Sequence, residues 1–213
     1  MKAHLRDVSV VIDVGANAGF YSCLAKSLGK TVVAVEPSRR NLRVLYQNLD
    51  ENKWKDVEVF PMALAAQPGV ASLFGSGVAA SLLPGWNRAS LFEREFVAVT
   101  TLDTLIGGRF QGQAMAIKID VEGAELEVLK GAAACLRHTP RPVWFIEIIG
   151  RGPFSEPFNR NYVETFELFF STGYRCFTWN KAFREIGLDE VRQWARAGGD
   201  VIAGHNFVFR EAR

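Results

Sequence analysis

The sequence predicts an α/β protein built on a doubly wound, mostly parallel sheet, with helices on both faces and an antiparallel strand near the C-terminus. Three observations carry this. Short apolar runs alternate with stretches whose apolar residues recur at helical spacing, as repeated βαβ units require. The glycine turn Asp13-Val-Gly-Ala-Asn-Ala-Gly19 and the acids Asp120 and Glu122 fall where a strand gives way to a helix, the edge at which such sheets bind ligands. The chain has 213 residues, 48% of them hydrophobic and 23% charged, which suits one globular domain over residues 1–213.

The elements follow in order. Val8 to Val14, broken only by Ser9 and Asp13, reads as a buried first strand, and Phe20 to Leu28 as its helix. Thr31 to Val35 is a second strand ended by Glu36-Pro37. Ser38 to Asn52 is a helix with Ser38 at the N-cap and Leu42, Leu45, Tyr46 and Leu49 on its inner face. Val57 to Met62 is a third strand. Residues 69–100 interrupt the alternation as a hairpin insertion. Its strands are Val70 to Phe74 and Phe96 to Thr100, and its 75–95 stretch is a loop or a short helix with turns. Thr100-Thr-Leu-Asp103 is a capping box opening a helix over Leu102 to Ile106.

Met115 to Ile119 is the fourth strand. It runs into a helix from Glu125 to Leu136, with Leu126, Leu129, Ala133 and Leu136 at helical spacing. Pro142 to Ile148 is a fifth strand, Val163 to Ser171 a helix, Tyr174 to Trp179 a sixth strand, Leu188 to Ala197 a helix and Asn206 to Phe209 the last strand. Residues 180–204 form a variable segment.

A net charge of +2 gives no broad basic field, so neither nucleic acid nor a membrane surface is an expected partner. No apolar run is long enough to span a bilayer, and no signal-peptide pattern is seen, which makes a cytoplasmic protein the expectation. The three cysteines, Cys23, Cys135 and Cys176, have no metal-ligand pairing. They read as reduced, with Cys23 and Cys135 on helices facing the core.

Gly15 and Gly19 let the backbone turn tightly and approach a ligand, and Glu36 ends the second strand 21 residues after Gly15, where nucleotide-binding folds place a ribose-binding acid. Each feature alone has a plain reading, a simple turn or a surface acid. Together, in the first βαβ unit, they point to a cofactor site. A dinucleotide fingerprint requires glycine where Asn17 stands, which disfavours a nicotinamide dehydrogenase.

Asp120, Glu122 and Glu147 lie at the ends of adjacent strands and form a candidate carboxylate cluster. It would act as a general base or hold a hard divalent ion such as Mg²⁺ through Asp120 and Glu147. The competing readings are that Glu122 caps the helix beside it and that Glu147 pairs with Lys118. His205, opening the last strand, is a weaker candidate base. His4, in a disordered-looking N-terminus, and His138 are set aside. Trp86, Phe92 and Trp179 either line an acceptor pocket or are buried.

The run Lys118-Ile-Asp-Val-Glu-Gly-Ala-Glu-Leu-Glu-Val-Leu-Lys-Gly131 closely resembles the hallmark of the FkbM family of methyltransferases. Val11 to Gly19, Val35-Glu-Pro-Ser38 with Asn41, Met62-Ala-Leu64, Thr100 to Asp103, Phe145-Ile-Glu-Ile148 and Gly173-Tyr174 match further landmarks in order, from residue 8 to about 178. The resemblance implies a Rossmann-like class I fold, S-adenosylmethionine as cofactor, and O-methylation of a hydroxyl on a small molecule, sugar, glycan, lipid or polyketide-like metabolite. It also implies cofactor contacts. Asp13, Gly15, Ala16, Asn17 and Gly19 would lie against the amino-acid part, Glu36 with Pro37 at the ribose, Met62 and Ala63 at the adenine, and Asp120 near the methyl group.

The alternatives are a non-catalytic cofactor-binding module of a larger assembly and a nucleic-acid methyltransferase. Amino-group enzymes of the latter kind carry an Asn- or Asp-Pro-Pro-aromatic motif where this chain has Asp120 followed by Val-Glu-Gly. The sequence begins almost at its first strand, leaving little N-terminal cap, and the 75–95 and 180–204 stretches match no family pattern; these are expected to choose the substrate.

Overall fold

The computed structural model describes residues 1–86, 94–151, 158–198 and 204–211. Its first half runs β1 (Val10–Val14), α1 (Phe20–Ser27), β2 (Thr31–Val35), α2 (Arg39–Glu51), β3 (Glu58–Phe60), β4 (Ala63–Leu64), β5 (Gly69–Phe74), β6 (Arg94–Thr100) and α3 (Leu102–Ile106). Its second half runs β7 (Met115–Ile119), α4 (Glu125–Lys130), β8 (Val143–Glu147), α5 (Tyr162–Ser171), β9 (Tyr174–Thr178), β10 (Glu185–Ile186), α6 (Leu188–Arg196) and β11 (Asn206–Glu211).

Among the described residues the main sheet has the order β10-β9-β11-β8-β7-β1-β2-β3. Pairings from β3 through β8 are parallel. β11 lies antiparallel between β8 and β9, and β10 adds a second antiparallel edge pairing that the sequence reading did not include. The chain moves outward from β1 to β3, then restarts at β7 on the other side of β1. That reversal is a topological switch point, where the loops diverge and leave a crevice at the strands' carboxyl ends.

The pleat sends alternate residues to opposite faces. Ile12, Val14, Ile117, Ile119, Trp144 and Ile146 join α3, α4, α5 and α6 in the larger core, while Val11, Ala116 and Phe145 face α1 and the N-terminal turn. The N-terminus is ordered here: Lys2–Leu5 is a 3-10 turn whose His4 ring packs on Phe145 and Phe183, at centroid distances of 5.9 and 4.8 Å.

β5 and β6 form the expected antiparallel hairpin, and β4 joins them in a separate three-stranded sheet. Thr101 caps α3 by accepting from the Thr104 N–H at 3.0 Å.

Four expectations need correction. α4 ends at Lys130 instead of running to Leu136, and a 3-10 turn follows at Cys135–Arg137. The Asp103 carboxylate causes this by accepting from the Ala134 and Cys135 N–H groups at 2.8 and 2.9 Å, drawing them off the helical ladder. Ala133 is consequently exposed. On α2, Leu42, Leu45 and Leu49 are buried but Tyr46 is 46% exposed, one step outside the inner stripe. Ser38 takes the N-cap position without a side-chain cap bond; its N–H instead donates to Glu36. Cys135 and Cys176 are buried as free thiols, whereas Cys23 is half-buried against the α2 cluster. Among the described residues no helix is long and apolar enough to cross a membrane.

Candidate active site

The turn after β1 is shaped by close approach. Gly15 has φ +75°, and a Cβ there would collide with the Asp120 carbonyl. β1 and the residues after β7 can touch because that position has no side chain. Asn17 also adopts positive φ, at 53°, and steadies the turn by accepting from the Ala18 N–H at 2.7 Å.

Glu36, at the end of β2, is buried and holds three donors. The Asn17 N–H reaches one oxygen at 2.8 Å; the Ser38 N–H and the Asn41 amide reach the other at 2.9 and 3.2 Å. Burial raises its pKa, and the two backbone donors oppose the rise. Glu36 therefore joins the first turn to the start of α2.

Asp13 and Lys118 face one another in the β1–β7 register and are both buried. Ser22 of α1 donates to Asp13 at 2.7 Å. The Lys118 ammonium lies 3.4 Å from Asp13, 3.3 Å from Asp120, 3.3 Å from the Gly15 carbonyl and 4.9 Å from the centre of the Tyr21 ring. Burial pulls the Lys118 pKa down, but the charges of Asp13 and Asp120 outweigh it and hold the ammonium above its ordinary value. Lys118 thus pairs with Asp13 and Asp120, and the competing reading of a Lys118–Glu147 pair is not met.

Asp120, Glu122 and Glu147 each offer an oxygen within 4.8 Å of the others. Burial first, then the neighbouring Asp120 and Glu122, pushes the Glu147 carboxyl up to about 8. Burial likewise raises Glu122, whose carboxylate takes the Trp86 indole N–H at 2.9 Å, while its carbonyl accepts from the Ser81 hydroxyl at 2.6 Å. Glu122 does not cap α4. The α4 N-terminus has no side-chain cap; Glu125, its first residue, instead accepts from the Val121 and Gly123 N–H groups of the preceding turn at 3.3 and 3.0 Å.

A cavity of about 270 Å³ runs along this edge. Gly15, Ala16, Asn17, Glu36, Pro37, Met62, Ala63, Asp120 and Glu122 line it. Asp13 sits behind the lining, and Gly19 is packed on Leu45. Glu147 borders the cavity through Asp120 and Glu122 without lining it. His205 is exposed; its carbonyl accepts from the Ile148 N–H, which places it at the same sheet edge but outside the cluster.

The family model of the methyltransferase FkbM domain matches residues 13–176. This chain belongs to the FkbM methyltransferase family. Among characterised relatives, the hexuronic acid methyltransferase AglP of Haloferax volcanii is 31% identical over 130 residues, 60% of this chain and 52% of AglP. The chain spans about half the length of that relative. Among solved structures, the ribosomal protein L11 methylase of Lactobacillus delbrueckii subsp. bulgaricus superposes with a TM-score of 0.52 at 10% identity, over all of this chain and 74% of that one, a likeness of fold. The expected class I architecture is therefore observed in both the FkbM match and the strand order.

Several residues at this candidate site escaped the sequence reading of chemistry. Lys118 was legible as an odd cation in an apolar strand, facing an equally odd Asp13. Tyr21 and the Gly77–Leu82 segment of the insertion also line the cavity, and only long-range packing brings that segment there. Trp86 is 1% exposed and serves Glu122 instead of lining the cavity. Trp179 is half-buried between Phe145 and Tyr21, and Phe92 lies outside the described residues.

Proposed function

We propose that this chain is an S-adenosylmethionine-dependent O-methyltransferase whose acceptor is a hydroxyl of a sugar, glycan or similar small metabolite. The observation that carries this is the continuity of one cavity from Glu36 and the Gly15–Ala18 turn to Asp120 and Glu122. The lining fits the cofactor. Glu36 offers carboxylate lone pairs to ribose hydroxyls, Met62, Ala63 and Val78 offer an apolar slot for a planar base, and the Gly15 turn allows close backbone approach. When bound, S-adenosylmethionine supplies a methyl group already activated for displacement.

The protein's tasks are then alignment and proton removal. Glu147 suits the second: a carboxyl pushed up to about 8 matches a proton acceptor working near neutral pH. Asp120, held by Lys118, orients the acceptor at the cavity wall. The AglP name favours uronic sugars among the acceptors, and the lack of a broad basic field favours these over nucleic acid.

Isothermal titration with S-adenosylhomocysteine tests the reading. Binding that is lost in Glu36→Ala is expected; a folded sample that binds nothing sinks it.

The spacing of Asp120, Glu122 and Glu147 also supports a second reading, in which they hold Mg²⁺ through oxygen ligands. We favour proton chemistry, because Lys118 already serves Asp120 and the Trp86 N–H already serves Glu122. Chelation separates the two: loss of turnover in EDTA with S-adenosylhomocysteine binding intact would establish the metal.

A further inference from the structure

We propose that Glu125 is a positioning residue whose buried carboxylate oxygen, by holding the Val121 and Gly123 N–H groups, fixes the turn that brings Asp120 and Glu122 to the same cavity as the cofactor slot. The proposal rests on the methyl-transfer reading for its functional meaning, and on geometry for its substance.

The turn leaves the sheet immediately after Asp120, whose N–H still donates to the Val14 carbonyl at 3.1 Å. Beyond that point the strand ladder ends, leaving the buried Gly123 N–H and the partly buried Val121 N–H without strand partners. Buried N–H groups demand acceptors. Both are met by Oε1 of Glu125, the first residue of α4, which is 4% exposed. The intervening residue, Glu122, is forced to φ +57°, a left-handed conformation that a long side chain seldom takes, and Gly123 follows at φ +96°. The left-handed step directs the Glu122 carboxylate back toward Asp120 and Glu147 instead of out along α4.

The opposite side of the turn is held by the insertion. Ser81 donates to the Glu122 carbonyl, the Trp86 indole to its carboxylate, and the Trp86 ring occupies the space a Gly123 Cβ would need. Glu125 is absent from the cavity lining, so it acts through the turn and not on a reactant.

A substitution series on the full chain separates geometry from charge. Glu125→Gln loses the charge but keeps an acceptor oxygen in place. Glu125→Ala loses both. Glu125→Asp keeps the charge and withdraws the oxygen by one methylene, and stands in where Glu125→Ala does not hold the fold.

Two readouts apply: the Glu147 titration midpoint, followed by NMR of ¹³C-labelled carboxyls, and turnover of methyl glucuronoside. The expectation is that Glu125→Gln keeps kcat within about threefold of the unsubstituted protein. Glu125→Ala or Glu125→Asp should lower kcat at least about 30-fold with KM for S-adenosylmethionine little changed, and should move the Glu147 midpoint by about a unit relative to Glu125→Gln, as the carboxylates separate. The proposal is overturned if Glu125→Gln and the other variants share one midpoint and one kcat, or if Glu125→Gln is as inactive as the rest while folded. S-adenosylhomocysteine binding by the unsubstituted protein is measured in parallel. Its absence would end the methyl-transfer reading while leaving the midpoint comparison to decide the role of Glu125.

Discussion

Two sets of carboxylates at one sheet edge are treated in opposite ways. Asp13 and Asp120 share the buried ammonium of Lys118, and Ser22 serves Asp13 as well. Glu147 and Glu125 lie a few ångströms away with no cation in ion-pair reach among the described residues, and burial pushes them up to about 8 and about 7. The first set is tied to a cation; the second keeps its protons until the pH approaches neutrality. Identical functional groups have been given different surroundings by the presence or absence of one lysine.

The sharpest way to break this contrast is Glu147→Gln, which leaves shape but removes the titrating group. Turnover on any acceptor the unsubstituted protein methylates should fall by about 10²- to 10⁴-fold, with S-adenosylhomocysteine binding retained in calorimetry. Next in size is Lys118→Met, which strands Asp13 and Asp120 without a counter-charge; urea unfolding should show a loss of about 3–5 kcal/mol.

A third test uses pH. Glu147 and Glu125 have folded values above their ordinary 4.5, so the folded state binds their protons more tightly than the unfolded chain does. Their contribution to stability is complete below pH 4.5 and disappears as pH rises through about 7 and 8. Melting temperature should decline across that window, and Glu147→Gln should flatten the decline. The mildest test is Trp86→Phe, which keeps the ring over Gly123 but removes the N–H from Glu122; a loss of about 1 kcal/mol in thermal unfolding is expected.

The parallel half of the sheet was legible because each of its strands is a short apolar run with a turn at its end. The positions of Asp120, Glu122 and Glu147 at neighbouring strand ends followed from that order alone. What escaped was whatever depends on distant partners. The break after Lys130 requires the Asp103 carboxylate, thirty-odd residues away, to outbid the helix for two N–H groups. Whether Glu122 caps α4 could not be decided from spacing; its left-handed φ and its bonds to Trp86 and Ser81 turn it away from the helix start. Trp86 read as buried more readily than as pocket wall, and its place depended on a hydrogen bond across 36 residues.

The insertion is fastened at more than one place. Ser81 bridges back to Phe74, the Gly77 carbonyl accepts from Asn41 beside Glu36, and Ser81 with Trp86 grips Glu122. Between Phe74 and Trp86 the chain is therefore a strut of fixed length, with one foot near Glu36 and the other on the carboxylate cluster. Adding or deleting a residue inside it would misalign one foot or the other. Variation in this stretch is thus confined to exchanging side chains such as Val78, 74% exposed at the mouth of the cavity, at constant length.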